Sequence, residues 1–127
     1  MKKLMKIDNS CAVIALHHVS GMDEDTVLRI CKFHDFTPKG GMIDEDWIAA
    51  GKDLGITVRL VFSGSVRLKQ FLTTHKDGLY LIRTHDHLFA LDNGIIVDPA
   101  TKESKTYPAL GRLVKWAYKV SKRDVIS

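Results

Sequence analysis

Six apolar residues run without a break from Cys11 to Leu16, between the polar pair Asn9-Ser10 and Gly21. This pattern predicts a helix over residues 11–19, capped by Asn9 or Ser10 and stopped by Gly21. A short helix that is apolar all round belongs at the centre of a fold. Asp23 caps a second predicted helix that runs to Phe33, with Val27, Ile30 and Cys31 on its inner face. Thr37-Pro38-Lys39-Gly40-Gly41 has the composition of a loop. A third helix opens at Asp44, with Glu45 and Asp46 in the first turn, where the helix dipole favours acids. Trp47, Ala50, Gly51 and Leu54 form its inner stripe, and Gly55 ends it.

The second half changes period. Residues 57–62 are β-branched and aromatic and predict a strand. Residues 65–73 predict one short helix, with Leu68, Phe71 and Leu72 inward. Strands are expected over 79–84, 87–91 and 95–98, and Asp92-Asn93-Gly94 between the last two is a hairpin signal, because Asn-Gly accepts the positive φ values of the turn. Val114, Trp116, Tyr118 and Val120 alternate with Lys115, Ala117, Lys119 and Ser121, the pattern of a half-buried final strand. Helices followed by a mostly antiparallel sheet define the α+β class. The expected organisation is a single domain over 1–127.

Composition narrows the class further. A chain of 127 residues, 45% hydrophobic and 27% charged, has the make-up of a globular protein that builds one core without staples. Charges interrupt the first eight residues, and no apolar run reaches the roughly 20 residues of a membrane span. A cytoplasmic protein with no membrane association is expected. The net charge of +4 is concentrated at the two ends, in Lys2, Lys3 and Lys6 and in Lys115, Lys119, Lys122 and Arg123. Two solvated basic termini, and no nucleic-acid partner, are the reading of this distribution. The two cysteines, Cys11 and Cys31, form no Cys-x-x-Cys pair, which excludes a zinc ribbon or a thioredoxin-type motif.

Cys11 falls in the first turn of the buried helix, where unpaired N–H groups and a partial positive charge favour a thiolate and stabilise an adjacent oxyanion. A cysteine nucleophile needs a base, and the base an orienting partner. Alternation along the predicted strand sets His85, His87, Phe89 and Leu91 on one face. With a two-residue Asn93-Gly94 loop, Asp92 faces Ile95, Phe89 faces Asp98 and His87 faces Ala100, so Asp98 is diagonal to His87 and within side-chain reach. A register shifted by one residue sets them on opposite faces. His85-Asp86-His87 has a spacing that chelates a metal together with Cys11 or Asp98, but no metal and no cofactor is expected. Cys31, Trp47 and Trp116 are read as core, His34 and His75 as solvated, and at most one of His17 and His18 as inward-facing.

Residues 8–21, Asp-Asn-Ser-Cys-Ala-Val-Ile-Ala-Leu-His-His-Val-Ser-Gly, followed by Met22-Asp23-Glu24-Asp25-Thr26-Val27, resemble the nucleophile helix of papain-like cysteine peptidases. The likeness is closest to stand-alone relatives of the bacteriocin-processing (double-glycine) peptidase family. Gly40-Gly41 and residues 48–55 resemble that family's next loop and helix, residues 79–91 its His strand, and Val97-Asp98-Pro99-Ala100 its terminal Asp-Pro. The likeness spans residues 5–100 in consistent order. It implies a papain-like fold, with Cys11 as nucleophile, His87 as general base and Asp98 as the residue that orients His87. The implied reaction is cleavage of a peptide or isopeptide bond through a thioester, with a protein or peptide as substrate. Two positions depart from the family. Met5 stands where a Gln six residues before the Cys completes the oxyanion hole, and Ala12 replaces the Gly after the Cys. Asn9 is the nearest amide able to substitute. Two other functions remain open: a papain-like binding protein with weak or no catalysis, and an amide-directed deamidase or acyl-transfer enzyme. Papain-like proteins this compact occur among phage and bacterial accessory proteins; leader-peptide export is not expected, since the transporter-fused members carry a membrane domain.

Overall fold

The computed structural model describes residues 11–37, 40–85, 87–97 and 112–122. The apolar stretch forms helix α1 (Cys11–Ser20), and Gly21, at φ +73°, ends it with its N–H on the His17 carbonyl. Asp23 caps α2 (Glu24–Phe33): its carboxylate accepts from the Thr26 N–H at 3.2 Å and the Thr26 hydroxyl at 2.7 Å. Helix α3 (Asp44–Asp53) carries its three acids in the first turn. Leu54 caps it, and Gly55 follows at φ +91°. The proposed caps of α1, Asn9 and Ser10, lie outside the described residues.

Strand β1 (Ile56–Arg67) is twice the expected length. Residues 63–67, of which 65–67 are expected to start the helix, continue the strand because Ser63, Val66 and Arg67 pair with β5 (Leu113–Lys122) across two irregularities, at Leu60/Phe62 and Ser63/Val66. Cross-strand pairing there overrides weak local propensity. The short helix α4 accordingly begins only at Leu68 (Leu68–Thr74). Strands β2 (Leu79–Arg83), β3 (Leu88–Asp92) and β4 (Ile95–Val97) complete a five-stranded sheet of order β1-β5-β2-β3-β4, antiparallel at every pairing. The β3–β4 turn has Asn93 at φ +49° and Gly94 at +84°, and pairs Asp92 with Ile95 and Ala90 with Val97. The described residues thus form a mixed α+β fold.

Two apolar clusters lie on opposite faces of the sheet. On one, Ala12, Val13, Ala15, Leu16 and Val19 of α1 pack with Val27 and Cys31 of α2, Trp47 and Ala50 of α3, and the strand residues Ile56, Leu81, Leu88, Ala90 and Val120. On the other, Leu68 and Phe71 of α4 cover Tyr80, Ile82, Phe89, Leu91, Val114 and Ala117. Alternation therefore sends Leu88 and Ala90 towards α1 and Phe89 and Leu91 towards α4. Strand β5 is half-buried, as its pattern predicts, but its two phases do not divide cleanly between core and solvent: Ala117, on the phase the pattern leaves to solvent, is fully buried under α4, while Trp116 and Tyr118 are half-buried. Each large apolar side chain so buried contributes about 1.5–3 kcal/mol. No helix among the described residues is long and apolar enough to cross a membrane.

Candidate active site

Helix α1 starts at Cys11, so the sulfur stands at the end where N–H groups lack intrahelical partners and the peptide dipoles sum to a partial positive charge. The helix behind it is anchored in the main core, while Cys11 itself is half-buried and its thiol is free of any disulfide. Between β2 and β3 the chain reverses over residues 84–87. The buried Thr84 closes this turn: its N–H donates to the His87 carbonyl at 2.9 Å and its hydroxyl donates to the same oxygen at 3.4 Å. His87 thereby precedes the first residue of β3 and is not bound by that strand's alternation.

The structure brings Cys11 and His87 together, and their side chains share a hydrogen bond. Phe89 and Leu91, which alternation sets on the same face as His87, pack against α4. His87 keeps its ring 6.0 Å from that of Phe89 and still meets the sulfur, because it sits at the sheet's end, where the two faces are not yet separated by a strand. Burial alone pushes the Cys11 thiol up. The hydrogen bond and positive charge of His87, with the N–H groups of Leu88 and Ala12 on the sulfur, outweigh it and bring the thiol below its usual value. Cys31 has no such compensation, and burial pushes it up to about 12.

Cys11 and His87 open on a cleft of about 90 Å³ walled by Ala12, Met42, Trp47, Arg83 and Leu88. Two of these walls, missed in the sequence, are tied through Asp44. Its Oδ1 accepts from Trp47 Nε1 at 2.8 Å and from Arg83 Nε at 2.8 Å. The separation of 39 residues between Asp44 and Arg83 leaves no sequence signal for this pair. Trp116, expected in the core, is half-buried, with the Arg83 guanidinium carbon 5.6 Å from its ring centroid.

Asp98 and Asn9 lie outside the described residues, as do Met5 and the expected Phe89–Asp98 and His87–Ala100 pairings. Strand β4 runs to Val97 in the register that a two-residue loop demands. The other histidines hold structural contacts. His18 Nε2 meets Asp92 Oδ2 at 2.9 Å and His17 Nδ1 the Met22 carbonyl at 2.9 Å. His34, half-buried, meets Asp53 at 2.7 Å in an exposed contact, and His75, also half-buried, stacks on Phe71 with centroids 4.1 Å apart. Among the described residues no group of three or more His, Cys, Asp or Glu is placed to hold a metal ion. Asp86, at the centre of the His85-Asp86-His87 run, is outside them.

Comparison of the sequence with protein-family models gives no match, and comparison with curated protein sequences gives none.

Proposed function

We propose that this chain is a papain-like cysteine hydrolase that cleaves a peptide or isopeptide bond through a thioester on Cys11. The observation that carries the reading is the hydrogen bond between Cys11, at the start of a core helix, and His87, with the thiol held below its ordinary value. A thiolate–imidazolium pair supplies both parts that acyl transfer needs, a nucleophile and an acid. The thiolate attacks the acyl carbon, and the carbonyl electron pair moves onto its oxygen, beside the helix N-terminus that favours negative charge. The tetrahedral intermediate collapses to a thioester as the imidazolium gives its proton to the departing amine. Water then gives a proton to His87, attacks the thioester and releases the acid and the free enzyme. In this reading Asp98, one residue beyond β4, orients His87, and Asn9 supplies the side-chain donor that Met5 lacks. A cytoplasmic location accords with a nucleophile that must stay reduced.

The test is a peptide library exposed to the protein, with new termini and acyl adducts at Cys11 read by mass spectrometry. Cleavage that vanishes in Cys11→Ala, and that falls by about 10⁴ in Asp98→Asn as for the serine-protease triad, is the expected result. Cleavage that survives Cys11→Ala overturns the proposal, and so does a screen with neither cleavage nor adduct.

A further inference from the structure

Arg83 ends β2, just before the turn that carries His87. Its guanidinium makes three directed contacts. Nε donates to Asp44 Oδ1 at 2.8 Å, and Nη1 donates to the carbonyls of Thr84 at 2.6 Å and His85 at 2.9 Å. Asp44 is itself fixed, because the same oxygen accepts from Trp47 Nε1, and Trp47 is buried edge-on against Tyr118 with centroids 5.2 Å apart. A continuous path of hydrogen bonds thus leads from the first turn of α3, through Asp44 and Arg83, to two peptide carbonyls of the turn, and from the Thr84 N–H to the His87 carbonyl.

We propose that Arg83, anchored by Asp44, is the positioning residue that holds His87 against Cys11. This rests on the cysteine-hydrolase reading above. The carbonyls it grips precede His87 by three and two residues, so fixing their peptide planes fixes the direction in which the chain delivers the imidazole. The planar guanidinium donates to the carboxylate from Nε and to the two carbonyls from Nη1; a lysine ammonium also has three N–H donors, but all on one nitrogen, and cannot span those positions. The carboxylate of Asp44 offsets the guanidinium charge, and the groups that most favour the Cys11 thiolate are His87 and the N–H groups of Leu88 and Ala12. In this proposal Arg83 acts through the placement of His87. Turns at an active site are the segments least held by core packing, and a displacement of about 1 Å there costs on the order of 10²-fold in rate.

The experiment is iodoacetamide labelling of Cys11 across pH in the full chain, for wild type, Arg83→Lys, Asp44→Asn and His87→Ala, with folding checked by circular dichroism. Arg83→Lys keeps the charge and loses the fork; Asp44→Asn keeps the shape and weakens the anchor. Both are expected to label about tenfold more slowly at pH 6.5, as a titration moved upward by about one pH unit requires. Adding His87→Ala to Arg83→Lys is expected to slow labelling less than it slows wild type. A wild type that titrates as an ordinary thiol overturns the hydrolase reading itself. A wild type with a low-lying thiol, matched by both folded variants, overturns the positioning role alone, as does full rescue by lysine. Should Arg83→Lys fail to fold, Asp44→Asn decides the question by the same profile.

Discussion

Gly51→Ala sets helix propensity against packing at the point where α3 closes on the rest of the core. In isolation the change favours the helix by about 1 kcal/mol. In the folded chain a Cβ at Gly51 stands 3.1 Å from both Cδ1 and Cγ1 of Ile56 and 3.4 Å from Leu16 Cδ2. Ile56 is 1% exposed and Leu16 fully buried, so neither has solvent to retreat into. Overpacking of this kind costs about 1–3 kcal/mol. The packing cost exceeds the propensity gain, leaving a net loss of up to about 2 kcal/mol, or a fall in Tm of about 4 °C for each kcal/mol at this size. Ile56→Val removes one of the two crowded carbons. Alone it costs about 0.5–1.5 kcal/mol, but combined with Gly51→Ala it relieves the crowding, so the double-mutant cycle is expected to show favourable coupling of at least about 0.5 kcal/mol. Urea melts of the four proteins measure it. A stabilised Gly51→Ala together with strict additivity would refute the close approach of α3 to β1, and with it the placement of the Trp47 wall of the cleft.

Leu54→Ala, at a position 5% exposed in the main cluster, is expected to lower stability by about 2–5 kcal/mol in denaturant melts, and a loss below about 1 kcal/mol would contradict the seating of α3. The hydrogen bonds from the Thr26 hydroxyl and N–H hold the Asp23 carboxyl below its usual value, so this cap contributes stability above the unfolded-state value near pH 4 and loses it as pH falls through the lower folded value. Asp23→Asn, which keeps a capping oxygen without the charge, is expected to flatten the fall in stability between about pH 4 and pH 2; an unchanged acid limb would remove Asp23 from the account.

The first half of the fold was legible because its signals are local. Cap, apolar period and terminal glycine agree at Asp23 and at Gly55, and Asn93-Gly94 selects its own turn. Where a tertiary partner decides, the sequence misleads. Ser63-Gly64 falls between an expected strand and a helix expected from Ser65, yet the strand continues through both to Arg67, held by the pairing of Ser63, Val66 and Arg67 with β5. Ala117 sits on the polar phase of its strand but is sealed by α4. The site shows the same division. The position of Cys11 at a helix start follows from local sequence, and alternation sets His87 beside Phe89, but the meeting of His87 with Cys11 depends on how α1 packs at the end of the sheet. The Asp44–Arg83–Thr84 path was invisible, since it joins a helix start to a strand end with no periodicity linking them.

The central claim is that Cys11 is a nucleophile made reactive by His87, and the pH dependence of thiol alkylation tests it most directly. In the folded protein Cys11 is expected to label with iodoacetamide at pH 6–7, along a titration lying below the ordinary thiol value near 8.5 and moving back up to it in His87→Ala. Cys31, fully buried and pushed up to about 12, is expected to label only on unfolding. A Cys11 that titrates near 8.5 with His87 present, or that labels no faster than Cys31 at pH 6–7, would contradict the claim.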